Sequence, residues 1–150
     1  MTRIVVERQI QAPPETVFQI IADVRSFKKA VPHITSVEFL TSQQAGLGTR
    51  FRETRRMRGR EAATELEITE FVENDRVRMD ADMNGTVWST LFTVAPRDGG
   101  THLTMTMDAK AYKLLPRLVN PLIKGAVRKA VVEDLDAVKA FCEKGAAEEA

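Results

Sequence analysis

From residue 49 to residue 112 the chain alternates apolar and polar side chains in segments broken by tight-turn residues. From about residue 120 to 144 that alternation gives way to an apolar repeat at helical spacing. Several consecutive strands followed by one long amphipathic helix can bury their apolar faces in few ways, and a curved antiparallel sheet closed by the helix is the simplest. The expected class is therefore α+β, with a sheet able to enclose a ligand cavity. A length of 150 residues suits one domain with a substantial core. That domain is assigned to residues 1–144, with the small, acidic stretch 145–150 expected to be a disordered tail.

Ahead of the strand run, residues 3–10 read as a strand with Ile4, Val6 and Ile10 on one side. Ala12-Pro13-Pro14-Glu15 then starts a helix, because proline lacks the amide hydrogen that a first turn leaves unpaired and Glu15 suits the positive helix end. Val17, Phe18, Ile20, Ile21 and Val24 supply its buried face. A second short helix is expected over residues 26–30, capped by Ser26 and stopped by Pro32, so two short helices separate the first two strands. Residues 34–40 form the second strand, and Gly46-Leu47-Gly48 turns into the third. Five further strands complete a seven-stranded sheet.

Turn chemistry sets the pairing register, since each hairpin must keep the same face inward. A turn at Gly59-Arg60 sets Phe51 opposite Ile68 and Arg52 opposite Glu67, and one near Asn74-Asp75 sets Val72 opposite Val77 and Ile68 opposite Ala81. Asn84-Gly85 aligns Ala81 with Trp88 and Met79 with Thr90, while a loop at Arg97-Asp98-Gly99-Gly100 aligns Phe92 with Met105 and Thr90 with Met107. The inward face then carries Phe51, Met57, Leu66, Ile68, Val77, Met79, Met83, Trp88, Phe92, Leu103, Met105 and Met107. Five of the six methionines fall on it, and methionine repacks readily around ligands of different shape. The same face carries Glu53, Arg55, Glu70, Thr86 and Thr90. An unpaired buried carboxylate costs several kcal/mol, so these groups imply water, a partner such as Arg55 or Arg8, or a ligand inside.

The last helix is expected to start at Asn120-Pro121, with Leu122, Ile123, Ala126, Val127, Ala130, Val131, Leu135, Val138 and Phe141 as its buried stripe. Small Ala126 and Ala130 leave room beneath it. Tyr112-Lys113-Leu114-Leu115-Pro116-Arg117-Leu118-Val119 is too apolar for an ordinary exposed loop and is open to three readings: a lid over the cavity mouth, a membrane or partner contact, or packing on the core.

Dedicated catalytic machinery is scarce. His33 and His102 have no metal-ligand spacing to other candidates, no glycine-rich phosphate loop occurs, and the serines lack a local nucleophile motif, so neither metal nor cofactor is expected. Cys142, the single cysteine, sits on the apolar side of the last helix as a small buried hydrophobe and rules out an internal disulfide. A net charge of +1 with 29% charged residues gives no global pull toward nucleic acid. The run Arg50, Arg52, Arg55, Arg56, Arg58, Arg60 faces Glu61, Glu65 and Glu67 across a hairpin and reads as a compensated sheet face. No apolar run approaches the length of about 18 residues needed for a membrane span, and no signal peptide precedes the first strand, so a cytoplasmic location is the default expectation.

The order of elements, with Ala12-Pro13-Pro14-Glu15-Thr16-Val17-Phe18 leading to Ile21-Ala22-Asp23-Val24, resembles the START/birch-pollen-allergen (SRPBCC) superfamily, and within it the polyketide cyclase/dehydrase and lipid-transport group. The resemblance implies the helix-grip fold, a curved sheet wrapped around the long C-terminal helix, with a cavity for lipids, polyketides, sterols or other apolar molecules. The segment Ala30-Val31-Pro32-His33-Ile34 is similar both to the branch associated with carbon monoxide dehydrogenase and to the coenzyme-Q-binding branch, too short a match to choose between them. Three functions follow as expectations. The first is a non-enzymatic carrier of a hydrophobic small molecule (lipid, polyketide, quinone or similar), acting as a monomer or weak dimer. Its ligand would be lined by Phe51, Met57, Met79, Met83, Thr86, Trp88, Thr90, Phe92, Met105, Met107, Ala126 and Ala130. The second is an aromatase/cyclase-type enzyme with Glu53 or Glu70, assisted by Arg55, as general acid-base group. The third is an accessory module docking to a membrane, at least transiently, or to a large complex through residues 112–119.

Overall fold

The computed structural model describes residues 2–149. In chain order the elements are β1 (Thr2–Ile10), α1 (Pro14–Ala22), α2 (Val24–Ala30), β2 (Ile34–Phe39), β3 (Arg50–Met57), β4 (Arg60–Val72), β5 (Arg76–Met83), β6 (Thr86–Arg97), β7 (Gly100–Ala111) and α3 (Leu114–Glu149). The seven strands form one antiparallel sheet in the order β1-β7-β6-β5-β4-β3-β2. Consecutive strands from β2 to β7 are neighbours, and the α1–α2 pair carries the chain from one sheet edge to the other. With α3 packed on β1 and β7 and touching α1 and α2, this is the helix-grip arrangement.

Local chemistry explains the helix pair. Pro14 opens α1, whose Val17, Phe18, Ile21 and Ala22 are buried. The cap of α2 is Asp23 rather than Ser26: the Asp23 carboxylate accepts from the Ser26 amide at 3.0 Å, so the helix begins two residues earlier than expected. Ile4, Val6 and Ile10 of β1 are buried as the alternation requires. They meet Val17, Ile21, Leu103, Leu135 and Val138 in one core.

Three hairpins turn on residue pairs with positive φ, the geometry of two-residue turns that match strand twist. Asn84-Gly85 and Asp98-Gly99 are two of them, and Ala81 pairs with Trp88, Met79 with Thr90, Phe92 with Met105 and Thr90 with Met107 as expected. The third is Arg58-Gly59, one position ahead of the expected Gly59-Arg60, with Arg58 at φ 53°. Arginine rarely adopts that conformation, so the register slips by two: Phe51 pairs with Leu66 and Arg52 with Glu65. Face parity survives an even slip, and Phe51 and Leu66 still point inward.

The β4–β5 register departs in a more consequential way. A turn over residues 73–75, with Asn74 at φ 60°, pairs Val72 with Arg76 and Phe71 with Val77, and a bulge between Ile68 and Glu70 then restores Ile68 opposite Met79. The extra residue in β4 exchanges its faces. Phe71 turns inward to meet Phe18 edge-on, ring centroids 5.5 Å apart, and Glu70 turns outward.

The last helix also differs from expectation. It begins at Leu114 and runs through Gly145 to Glu149, with Pro121 inside it. Asn120 is not its cap; its buried side-chain amide donates to Thr86 Oγ1 at 3.0 Å. The buried stripe is Val131, Leu135, Val138 and Cys142, whereas Leu122 (82% exposed), Ile123, Ala126 and Phe141 lie outside it.

Candidate functional site

Between the concave sheet face and the helices lies a cavity of about 520 Å³. Its floor is built by alternate residues of five strands, including Phe51 and Met57 of β3, Leu66 of β4, Met79 and Met83 of β5, Trp88, Thr90 and Phe92 of β6, and Met105 and Met107 of β7. Ile21, Val24 and Phe27 close one side, with Phe27 edge-on to Phe92 at 6.0 Å. The roof is one face of α3, Val127, Ala130, Val131 and Asp134, spaced at i, i+3, i+4 and i+7. All five methionines expected on the inward face line it.

Most of the expected lining residues are therefore brought together, Ala130 among them, and three expected residues are not. Thr86 is fully buried and taken by Asn120, outside the cavity. Ala126 is exposed, because the α3 face turned toward the sheet starts at Val127. Glu70, carried outward by the β4 bulge, is held by Arg76 and by Arg78 at 3.2 Å, and these guanidiniums lower its pKa. A carboxylate so paired on the outer face has no access to the cavity, which removes Glu70 from the acid-base candidates.

One polar corner interrupts the apolar wall. Glu53 and Arg55, two apart on β3 and so on one face, meet Asp134 of α3. Arg55 Nε donates to Glu53 Oε1 at 2.6 Å, and Arg55 Nη1 donates to Asp134 Oδ2 at 2.8 Å and Oδ1 at 3.0 Å. The Glu53 and Asp134 side chains are 11% and 9% exposed, so both carboxylates are largely removed from water. Burial raises the Asp134 pKa and the charge of Glu53 adds to it, against the opposing pull of Arg55 and, more weakly, His33. Arg55 stays charged; although burial works against its cation, the two carboxylates raise its pKa. With both acids ionised the cluster carries one net negative charge. Glu53 Oε2 has no hydrogen-bond partner among the described residues, which leaves an acceptor for a ligand donor.

Sequence patterning alone does not single out Asp134. It sits seven, four and three residues after Val127, Ala130 and Val131, so a carboxylate within the apolar face is the signal that could have found it. Outside the cavity, His102 bonds Glu7 at 3.1 Å on the outer face and His33 lies 3.6 Å from Glu133. No group of His, Cys, Asp and Glu suited to a metal ion occurs among the described residues. Cys142 is buried and its thiol is pushed up to about 11 by burial, the state of an inert packing residue.

Several solved structures share this architecture. A START superfamily protein from Mycobacterium smegmatis superposes with a TM-score of 0.77 at 15% identity, covering 95% of this chain and 97% of that one. TTHA0849 from Thermus thermophilus gives 0.74 at 20% identity, covering 93% and 95%. The di-domain ARO/CYC StfQ from the steffimycin biosynthetic pathway gives 0.79 at 12% identity, covering 97% of this chain and 52% of that two-domain protein. At such identities the likeness is one of fold. No curated protein matches the chain by sequence. The family model described as polyketide cyclase / dehydrase and lipid transport, however, matches residues 1–143, nearly the whole of the cavity-forming fold, and the chain belongs to that family.

Proposed function

We propose that this protein carries an apolar small molecule of the lipid, polyketide or quinone kind, with one hydrogen-bond-donating end held at the Glu53–Arg55–Asp134 corner. The observation that carries this reading is the cavity itself: a volume of about 520 Å³ whose apolar walls converge on one polar cluster. That volume is ordinary for small-molecule sites, which span about 300–1,000 Å³. Affinity would come from burying the ligand body against Met79, Trp88, Phe92, Met105 and Met107, and orientation from the corner. Because the corner is acceptor-rich and net negative, it favours a hydroxyl or phenol and disfavours a carboxylate. A phenol should therefore bind more tightly than the carboxylate of the same skeleton by at least about tenfold, since an unpaired like charge is costly to bury.

Trp88 emission reports the test, because an indole lining the cavity changes environment as a polyaromatic phenol enters. Trp88→Ala should weaken binding, and unchanged affinity in that variant would place the ligand elsewhere. Native mass spectrometry of protein purified from its own host identifies the physiological molecule.

The raised pKa of Asp134 favours a second reading, in which it donates a proton during ring closure or dehydration. Glu53→Gln and Asp134→Asn separate the two. A carrier keeps its binding with modest loss, whereas a cyclase keeps binding and loses about 10²–10⁴-fold in turnover of a polyketide substrate.

A further inference from the structure

The first half of α3 presents an apolar stripe to the outside. Leu114, Leu115, Leu118, Val119, Leu122 and Ile123 repeat at one-turn intervals on one helix face. Leu114 and Leu115 are 71% exposed, Leu118 63% and Leu122 82%. Isolated exposed leucines need no explanation, but six contiguous aliphatic side chains on one face do. From residue 113 to 132 the chain carries five lysines and arginines and no acidic residue, so the stripe is embedded in positive charge.

The sheet adds to the same end of the molecule. β3 and β4 meet at Arg58-Gly59, β5 and β6 at Asn84-Gly85, and the Gly85 carbonyl accepts from the Tyr112 amide immediately before α3. In the pairing of β4 with β5, Glu67 lies opposite Asp80. β4 therefore extends seven residues beyond that pair, to Arg60, while β5 extends three, to Met83. The β3–β4 hairpin overhangs its neighbour, with Arg56, Arg58 and Arg60 exposed near its tip.

We propose that the first half of α3, supported by the β3–β4 hairpin tip, is a docking surface for an anionic lipid bilayer. A Leu-rich face flanked by lysine and arginine matches an interface of acyl chains below phosphate headgroups. No helix is long and apolar enough to cross a membrane, so α3 lies on the bilayer rather than through it. A second copy of the chain fits poorly, since two such faces would bring like charges together. An acidic protein groove is less favoured because the stripe lacks the Trp, Tyr or Met anchors that dominate protein interfaces. The surface also adjoins the cavity: one turn after Ile123 the same helix reaches Val127, which lines it, and Met57 and Met83 line it at the hairpin end. The docking surface stands on exposure and charge, independent of what the cavity holds.

Vesicle flotation tests the proposal, using phosphatidylcholine with about 30% phosphatidylglycerol against pure phosphatidylcholine. The protein should float with the anionic vesicles, less so as salt rises, and Leu118→Glu/Leu122→Glu should weaken that binding by at least about tenfold. Both leucines point outward, so circular dichroism and binding of the phenol probe without vesicles should be unchanged in the double variant. Lys113→Glu/Lys124→Glu provides an independent arm and should lose the same association. No flotation with anionic vesicles, or flotation indifferent to both double variants, overturns the proposal. So does a concentration-dependent dimer, or a stable complex with a soluble acidic protein, that the leucine variant abolishes while wild-type protein ignores vesicles.

Discussion

Arg55 neutralises two carboxylates in a place where neither has much water. Arg55→Gln would leave Glu53 and Asp134 facing each other without a cation, at a cost of about 2–3 kcal/mol near neutral pH. The sign of the pH dependence follows from Asp134. Its folded pKa is already raised and Arg55 opposes that rise, so removing Arg55 raises it further. A raised folded pKa means stability is greatest where the acid is protonated and declines as pH climbs through that value. The variant should thus lie closest to wild type near about pH 4–5 and furthest from it above neutrality. Thermal melts across that range check this, and a gap that does not change with pH would count against it. Glu53 and Arg55 were readable from sequence because residues two apart on a strand share a face. Glu70 was not, because a bulge at residue 69 leaves no mark in the alternation before it.

Hairpins were legible where the turn residues state their own conformation. Asn84-Gly85 and Asp98-Gly99 favour positive φ, and the registers they set are those observed. Arg58-Gly59 hides its turn, because only its second residue favours the left-handed region. Asn120-Pro121 misled in the other direction: the pair has the composition of a helix start, yet Asn120 serves as a tether to Thr86 and the helix has already begun. One glycine in the β6–β7 connection is required by packing rather than by backbone angle. A Cβ on Gly100 would collide with the Ile10 carbonyl oxygen, a backbone atom at the end of β1. Gly100→Ala should therefore force β1 and β7 apart at that end and destabilise the fold by about 2 kcal/mol. Urea unfolding measures this, and a loss below about 0.5 kcal/mol, the range of ordinary surface changes, would show that β1 shifts freely.

At the scale of the molecule the architecture was readable because element order leaves little choice: one strand, two short helices, six more strands and a long helix. A cavity was readable because Glu53 and Arg55 fall among methionines on a face that would otherwise be solid core. Where α3 rests was not readable, since apolar repeats before and after Pro121 have the same period while only the later one meets the sheet. That division leaves Asn120 as the only buried residue from 114 to 130, whereas Val131, Leu135, Val138 and Cys142 are fixed in the core. Pro121 also supplies no amide to the Arg117 carbonyl one turn earlier. A helix secured at one end only behaves as two kinetic units. Amide hydrogens of residues 114–123 should exchange with deuterium through frequent local opening, at least about tenfold faster than those of residues 131–142, which wait for global unfolding. Equal protection along the helix would contradict this. Admission of a guest then requires only the loose half to lift, a motion of microseconds to milliseconds, while the rest of the protein stays folded.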